Sequence, residues 1–265
     1  MHGSTEGGVN LSSNRWTRDE LKLAFHLYCQ LPFGRLHQRN PEIIQLAGFI
    51  GRTPSALAMK LVNFASLDPA ITGSGRKGLS GASKLDQEVW DQFHADWEGL
   101  ALECESLRAD LATGAGAVVP SIEEDLAAYY IGETRQALVE QRIKQQFFRK
   151  AVLSSYRGKC CMSGLAEPRL LLASHIVPWS QDKANRLNPA NGLCLSALHD
   201  RAFDQGLMAL TDEFTVILSA SLRQRDEPFV REVLLPLAGR QIELPERFIP
   251  SVELVAWHRE RVFVG

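Results

Sequence analysis

The segment from Leu170 to Gly206 constrains this chain more than any other. A short apolar run, Leu170-Leu171-Leu172-Ala173, leads into Ser174-His175-Ile176 and is stopped by Pro178. Asn191-Gly192, a turn dipeptide, stands 16 residues after His175 and precedes a second apolar run, Leu193-Cys194-Leu195. From Ser196 on, the residues that include His199, Asp200 and Asp204 read as a helix. The pattern predicts two short strands, a polar loop between them and a helix after the second. Taken singly, each feature has a plain structural reading. A histidine after an apolar strand is usually packed in a core or turn, Asn-Gly usually only turns, and two aspartates usually form a solvated helix face. The order and spacing together carry the weight.

That order, with Ser-His-Ile-x-Pro, Asn-Gly and His-Asp-Arg-x-Phe-Asp-x-Gly, resembles the HNH nuclease family. The resemblance implies a ββα-metal core that cuts nucleic acid with one divalent ion and one histidine. Phosphodiester hydrolysis needs a nucleophilic water, a base and a cation. The resemblance makes His175 the base, a role suited to a side chain whose ordinary pKa lies near working pH. It gives Asn191 the bracing of the loop between the strands. Asp200 lies nine residues after Asn191, at the family's position for a metal ligand. Asp204, four residues on, projects from the same helix face. His199 is the rival ligand. Oxygen ligands here suit Mg²⁺ or Mn²⁺. Ser174 is a departure, because many relatives have Asp or His there as a second ligand. Either Asp204 fills that place, or the ion rests on one helix residue, water and the DNA phosphate.

Composition bounds the rest. The 265 residues are enough for two modest domains, and 45% hydrophobic content supports real cores. A net charge of −2 excludes a basic coat for nucleic acid, so any such surface is a local patch. No apolar stretch is long enough to span a membrane, and residues 1–14 read as a polar, disordered start with no signal peptide. Cys29, Cys104, Cys160, Cys161 and Cys194 are odd in number and scattered, which fits a reducing cytoplasm. The chain has no C-x-x-C, and adjacent Cys160-Cys161 is awkward around one tetrahedral ion, so structural zinc is not expected.

Upstream, Thr17 caps a helix to Gln30, Asn40 and Pro41 open a second to Ile50, and Thr53-Pro54 opens a third to Phe64. Helix, Gly-containing turn and helix form a helix-turn-helix-like pattern. Its third helix is expected to expose Ser55, Met59, Lys60 and Asn63, with Arg52 at its start, to DNA. Arg76 and Lys77, in a Gly/Ser-rich loop, are candidate phosphate contacts. Residues 85–111 read as one long helix with an apolar stripe. A basic helix over 134–156 offers Arg142, Gln146 and Arg149 to phosphates. Residues 207–218 read as a strand pair, and the tail around His258 as packing on the nuclease module.

The expected architecture is α+β: an N-terminal helical, helix-turn-helix-like domain over 15–112, a linker over 113–121 and a ββα-metal HNH domain over 122–265. The expected activity is metal-dependent endonuclease cleavage of double-stranded DNA in the cytoplasm, of restriction type, by a homodimer, with a methyltransferase partner left open. The alternatives are a DNA-binding protein with a degenerate nuclease core, and a nicking or RNA-directed nuclease.

Overall fold

The computed structural model describes residues 15–73, 81–114 and 133–265. Arg76, Lys77, residues 1–14 and most of the expected linker lie outside the described residues.

Local signals start the N-terminal helices. In α1 (Arg18–Gln30), the Thr17 hydroxyl accepts from the Glu20 amide and the Glu20 carboxylate accepts from the Thr17 amide. Helix α2 (Pro41–Phe49) begins with the Asn40 side chain accepting from the Glu42 amide at 2.9 Å. Gly51, at φ 65°, makes the turn into α3 (Pro54–Ala65), which Thr53 caps. Leu57, Leu61 and Phe64 face inward as their spacing predicts. The short α4 (Pro69–Gly73) and helix α5 (Lys84–Ala95) follow. Phe25 on α1 lies at the centre, with the rings of Phe64, Trp90 and Phe93 between 4.7 and 5.2 Å away.

The structure corrects several expectations here. The helix expected over 85–111 is two, α5 and α6 (Trp97–Gly114), broken at Asp96. The Asp96 carboxylate accepts from the Gly99 amide at 2.8 Å and so caps the second helix. Helix α6 also runs through Gly114, past the start of the expected linker. The second correction concerns Lys60. It is buried, not presented to solvent, and its ammonium meets both Asp86 carboxylate oxygens at 2.9 and 3.0 Å. Arg52 is likewise committed inward, to both Glu20 oxygens at 2.8 and 2.9 Å and to the Arg15 carbonyl. Ser55 and Met59 are exposed, and Asn63 donates to the Gly81 carbonyl.

Helix α7 (Glu133–Ser155) packs against α1, α6 and the strand β1 (Leu171–His175). Two consecutive phenylalanines on it face different neighbours, as positions about 100° apart must. Phe147 stacks on His26 of α1, with centroids 4.9 Å apart, and Phe148 stacks on His175 of β1. Strand β1 pairs antiparallel with β2 (Gly192–Ser196), and α8 (Ala197–Asp204) packs back on both. The pair β3 (Met208–Leu210) and β4 (Val216–Leu218) matches the expected strand pair. After the short α9 (Ala220–Arg223), the terminal α10 (Val252–Arg261) lies against β3. Its His258 is buried, stacked on Phe203 and bonded to the Phe203 carbonyl at 3.2 Å.

One connected apolar core runs from α1 to α10. Arg247 fastens it. The residue is fully buried, donates to the Tyr28 carbonyl of α1 and to Ser154 of α7, and lies over the Tyr28 ring. Ser154 in turn donates to the Cys29 carbonyl at 2.9 Å.

Candidate active site

His175 ends β1, where the chain turns into a polar loop. Its Nε2 lies 2.9 Å from the Arg186 carbonyl. A carbonyl only accepts, so Nε2 carries the proton and Nδ1 keeps its lone pair. Phe148 lies flat on the imidazole, with centroids 3.8 Å apart and planes 7° from parallel, and Trp179 meets it edge-on at 5.7 Å. Burial pushes the His175 pKa below its ordinary value, partly offset by the bond to Arg186. The ring is therefore neutral, oriented and of fixed tautomer.

The stacking depends on Gly192. It is the cross-strand partner of His175, so a side chain there would lie on the same face of the sheet. A Cβ at Gly192 would stand 2.4 Å from Val152 Cγ2 and 3.0 Å from Phe148 Cζ. Glycine lets α7 come close enough for Phe148 to cover the imidazole.

Asn191 is fully buried and all of its side-chain bonds go to backbone. Its Oδ1 accepts from the Val177 amide at 2.8 Å. Its Nδ2 donates to the carbonyls of Val177 and Asn185, both at 3.1 Å. The backbone adds a bond from the Ile176 amide to the Asn191 carbonyl. One side chain thus ties the end of β1 to the far side of the loop, next to Arg186. The loop closes on itself as well. Asp182 accepts from the amides of Ala184 and Asn185, and Arg186 donates to the Trp179 carbonyl at 2.7 Å.

On α8, Asp200 and Asp204 stand one turn apart. Removal from water first, and the Asp200 carboxylate second, push the Asp204 carboxyl above its usual range. A carboxyl raised in part by a neighbouring carboxylate favours a cation beside it. Ser174 is buried, and its hydroxyl has no hydrogen-bond partner among the described residues. Among the described residues no three His, Cys, Asp or Glu side chains converge on one point. The oxygen donors fit a hard ion held by one or two carboxylates and completed by water and phosphate, the usual manner of Mg²⁺.

His199, one position before Asp200 on α8, keeps its Nε2 without a hydrogen-bond partner among the described residues. It is buried, with Nδ1 3.3 Å from Cys160 Sγ, and its amide is the one capped by Ser196. Burial would raise the Cys160 thiol, but the bonds from His199 and from Ser163 outweigh it and bring its pKa to about 6. His199 thus holds the segment before β1 to α8. The sequence reasoning missed the Arg186 carbonyl, Phe148 and Trp179. A backbone acceptor leaves no mark in a sequence, and the two aromatic residues read there only as part of a basic helix and a loop.

Among the proposed DNA contacts, Arg142 and Gln146 are exposed on α7. Arg149 spends part of its guanidinium on the carbonyls of Leu171 and Pro168, at 2.8 and 3.2 Å. No described helix is long and apolar enough to cross a membrane.

Residues 160–211 match the family described as HNH endonuclease. The matched span runs from Cys160 through β1, the loop, β2 and α8 to the end of β3. No curated protein matches the chain.

Proposed function

We propose that this chain, an HNH-family protein through residues 160–211, is a metal-dependent endonuclease that hydrolyses phosphodiester bonds in double-stranded DNA. The observation that carries the reading is the setting of His175: neutral, clamped by stacking, and with Nε2 fixed on the Arg186 carbonyl so that Nδ1 remains the base. In the reaction, Nδ1 takes a proton from water as the water oxygen bonds to phosphorus. The bond from phosphorus to the leaving sugar oxygen breaks, and that oxygen gains a proton from solvent. Asn191 keeps the loop, and so the Arg186 carbonyl, in place throughout. Asp200 and Asp204 would hold a Mg²⁺ or Mn²⁺ ion, which when bound steadies charge on the phosphate and leaving oxygen. Ser174 Oγ, without a partner among the described residues, is available to a water of that site.

DNA would be held by exposed residues of α7, Arg142 and Gln146, with Arg149, and by Ser55 and Asn63 on α3. Lys60 and Arg52, spent on Asp86 and Glu20, act as structural supports in this reading. A restriction role against foreign DNA rests on the likeness of Trp-Thr-x-x-Glu-Leu and Gly-Arg-Thr-Pro-Ser-Ala-Leu to N-terminal modules of restriction-type proteins. One such site cuts one strand per event, which favours a symmetric dimer on a duplex.

The deciding experiment is plasmid cleavage in Mg²⁺, Mn²⁺ or EDTA, on methylated and unmethylated DNA, by the wild type and His175→Ala. Metal-dependent cutting that the substitution abolishes establishes the enzyme and its base. DNA binding with no cutting under any condition would replace this reading with that of a binding protein.

A further inference from the structure

An open groove of about 900 Å³ lies along α7, and it extends the contacts proposed for Gln146 and Arg149 to residues that reading does not use. The turn after α1 and the start of α2 form one wall, with Arg35 and Glu42. Helix α7 forms the other, with Gln146, Arg149 and Lys150, and Leu171 at the start of β1 also lines the groove. We infer that this groove is a second nucleic-acid contact, holding backbone phosphates that flank the cleaved bond. The inference rests on the nuclease reading.

The charge is the first argument. Arg35 and Lys150 are exposed, and among the described residues neither they nor Arg149 meets a carboxylate. Arg157, at the end of the groove, is paired with Glu243 and lies 3.9 Å from Glu246. Among the described residues Glu42 is the one carboxylate lining the groove. In a chain of net charge −2, cations gathered from two separate segments without counter-charge are stabilised by an external anion.

Geometry is the second. The Arg149 fork is fixed by neutral carbonyls at Leu171 and Pro168, which set its direction and leave its charge uncancelled. Gln146 and Lys150, one helical turn apart, present a donor and a cation on the same side of α7. The groove is open along its length, which suits a polymer better than an enclosed small molecule.

Position is the third. Leu171 and His175 are the two ends of β1, four residues apart, which at strand spacing is about 13 Å. Duplex DNA advances about 3.4 Å per phosphate along each strand. The groove therefore begins within about 13 Å of His175, a few phosphates of duplex DNA from the bond cut there.

The test uses the full-length His175→Ala chain and a fluorescent 24-base-pair DNA duplex, with affinity followed by anisotropy from 50 to 200 mM KCl. Each phosphate contact adds about 0.9 to the slope of log affinity against log salt. Arg35→Ala with Lys150→Ala should lower that slope by roughly 1.8, so that the parent loses about 12-fold more affinity across the range than the variant. Glu42→Gln should tighten binding. All three substituted residues are exposed, and unchanged circular dichroism would show that the fold is intact. An unchanged slope in the double variant, or binding indifferent to both changes, overturns the inference. Plasmid cleavage by the wild type in Mg²⁺, lost in His175→Ala, judges the nuclease reading separately, whatever the slope shows.

Discussion

Replacing Asn191 with alanine should inactivate the protein without touching the base or either carboxylate. The substitution leaves the Val177 amide without an acceptor and removes the donor to the carbonyls of Val177 and Asn185, all in a buried setting. An unsatisfied buried donor costs about 1–3 kcal/mol, and carbonyls cost less because they have a second lone pair. The expected loss of stability is therefore roughly 2–5 kcal/mol, within the 5–15 kcal/mol typical of a folded protein. The fold should survive, because the bond from the Ile176 amide to the Asn191 carbonyl is made by backbone and persists. What goes is the tie to Asn185, the residue before the carbonyl that fixes His175. A shift of that carbonyl by about 1 Å frees the imidazole to turn, and misplacement on that scale costs on the order of 10²-fold in rate. Asn191→Asp should do no better, since it keeps the acceptor for Val177 but sets a negative oxygen against two carbonyls. Urea denaturation and metal-dependent plasmid cleavage, run on the same preparations, read both effects. Cleavage by Asn191→Ala within a few-fold of wild type would refute the argument that this side chain positions the base.

The other predictions are briefer. Gly192→Ala should displace Phe148 from His175, destabilising by about 1–3 kcal/mol and slowing cleavage, and adding Val152→Ala should recover much of both; a lack of recovery in the double variant would contradict the steric account. Asp86→Ala should leave the Lys60 ammonium buried and unpaired, at a cost of about 3–5 kcal/mol, while Lys60→Met with Asp86→Leu restores most of the stability. Thermal melts of the three chains decide it. Burial lowers His26 to a pKa of about 3 and His258 to about 4, so the folded state refuses protons that the unfolded chain accepts below about 6.5. Stability from both is complete above that value and is lost as pH falls toward 4, by up to ~1.4 kcal/mol per pH unit for each group. His258→Phe should flatten the decline measured by urea denaturation at pH 6.5, 5.5 and 4.5. His175 is lowered in the same direction, so the acid limb of the cleavage rate should fall below pH 6.5, and a limb centred above 7 would exclude it as the base.

What was legible in the sequence was local. Thr17, Asn40, Thr53 and Ser196 begin helices because a cap bonds to an amide two or three residues away. The strand order around His175 and Asn191 is set by apolar runs and a turn dipeptide a few residues long. What was not legible depends on partners far along the chain. Lys60 reads as an exposed cation until Asp86, 26 residues on, folds over it. The contact of His199 Nδ1 with Cys160, 39 residues back, likewise leaves no mark beside Asp200 in the sequence. The break at Asp96 was masked by an apolar stripe that continues into the next helix, because both helices bury the same face of the chain. The clamp on His175 was out of reach for the same reason, since Phe148 and Arg186 meet it only through tertiary packing and a backbone carbonyl.

Arg247 and the adjacent pair Phe147 and Phe148 place the N-terminal helices and the nuclease strands in one solid body. Such a body works as a ruler, not a leash. Wherever its outer surfaces grip a strand, the gap to His175 is set by the length of a packed helix. The spacing of a cut would then be changed by remodelling α7, turn by turn. It also means that the nuclease strands cannot be lent to another protein as a cassette without uncovering Phe147 and stranding the Arg247 guanidinium.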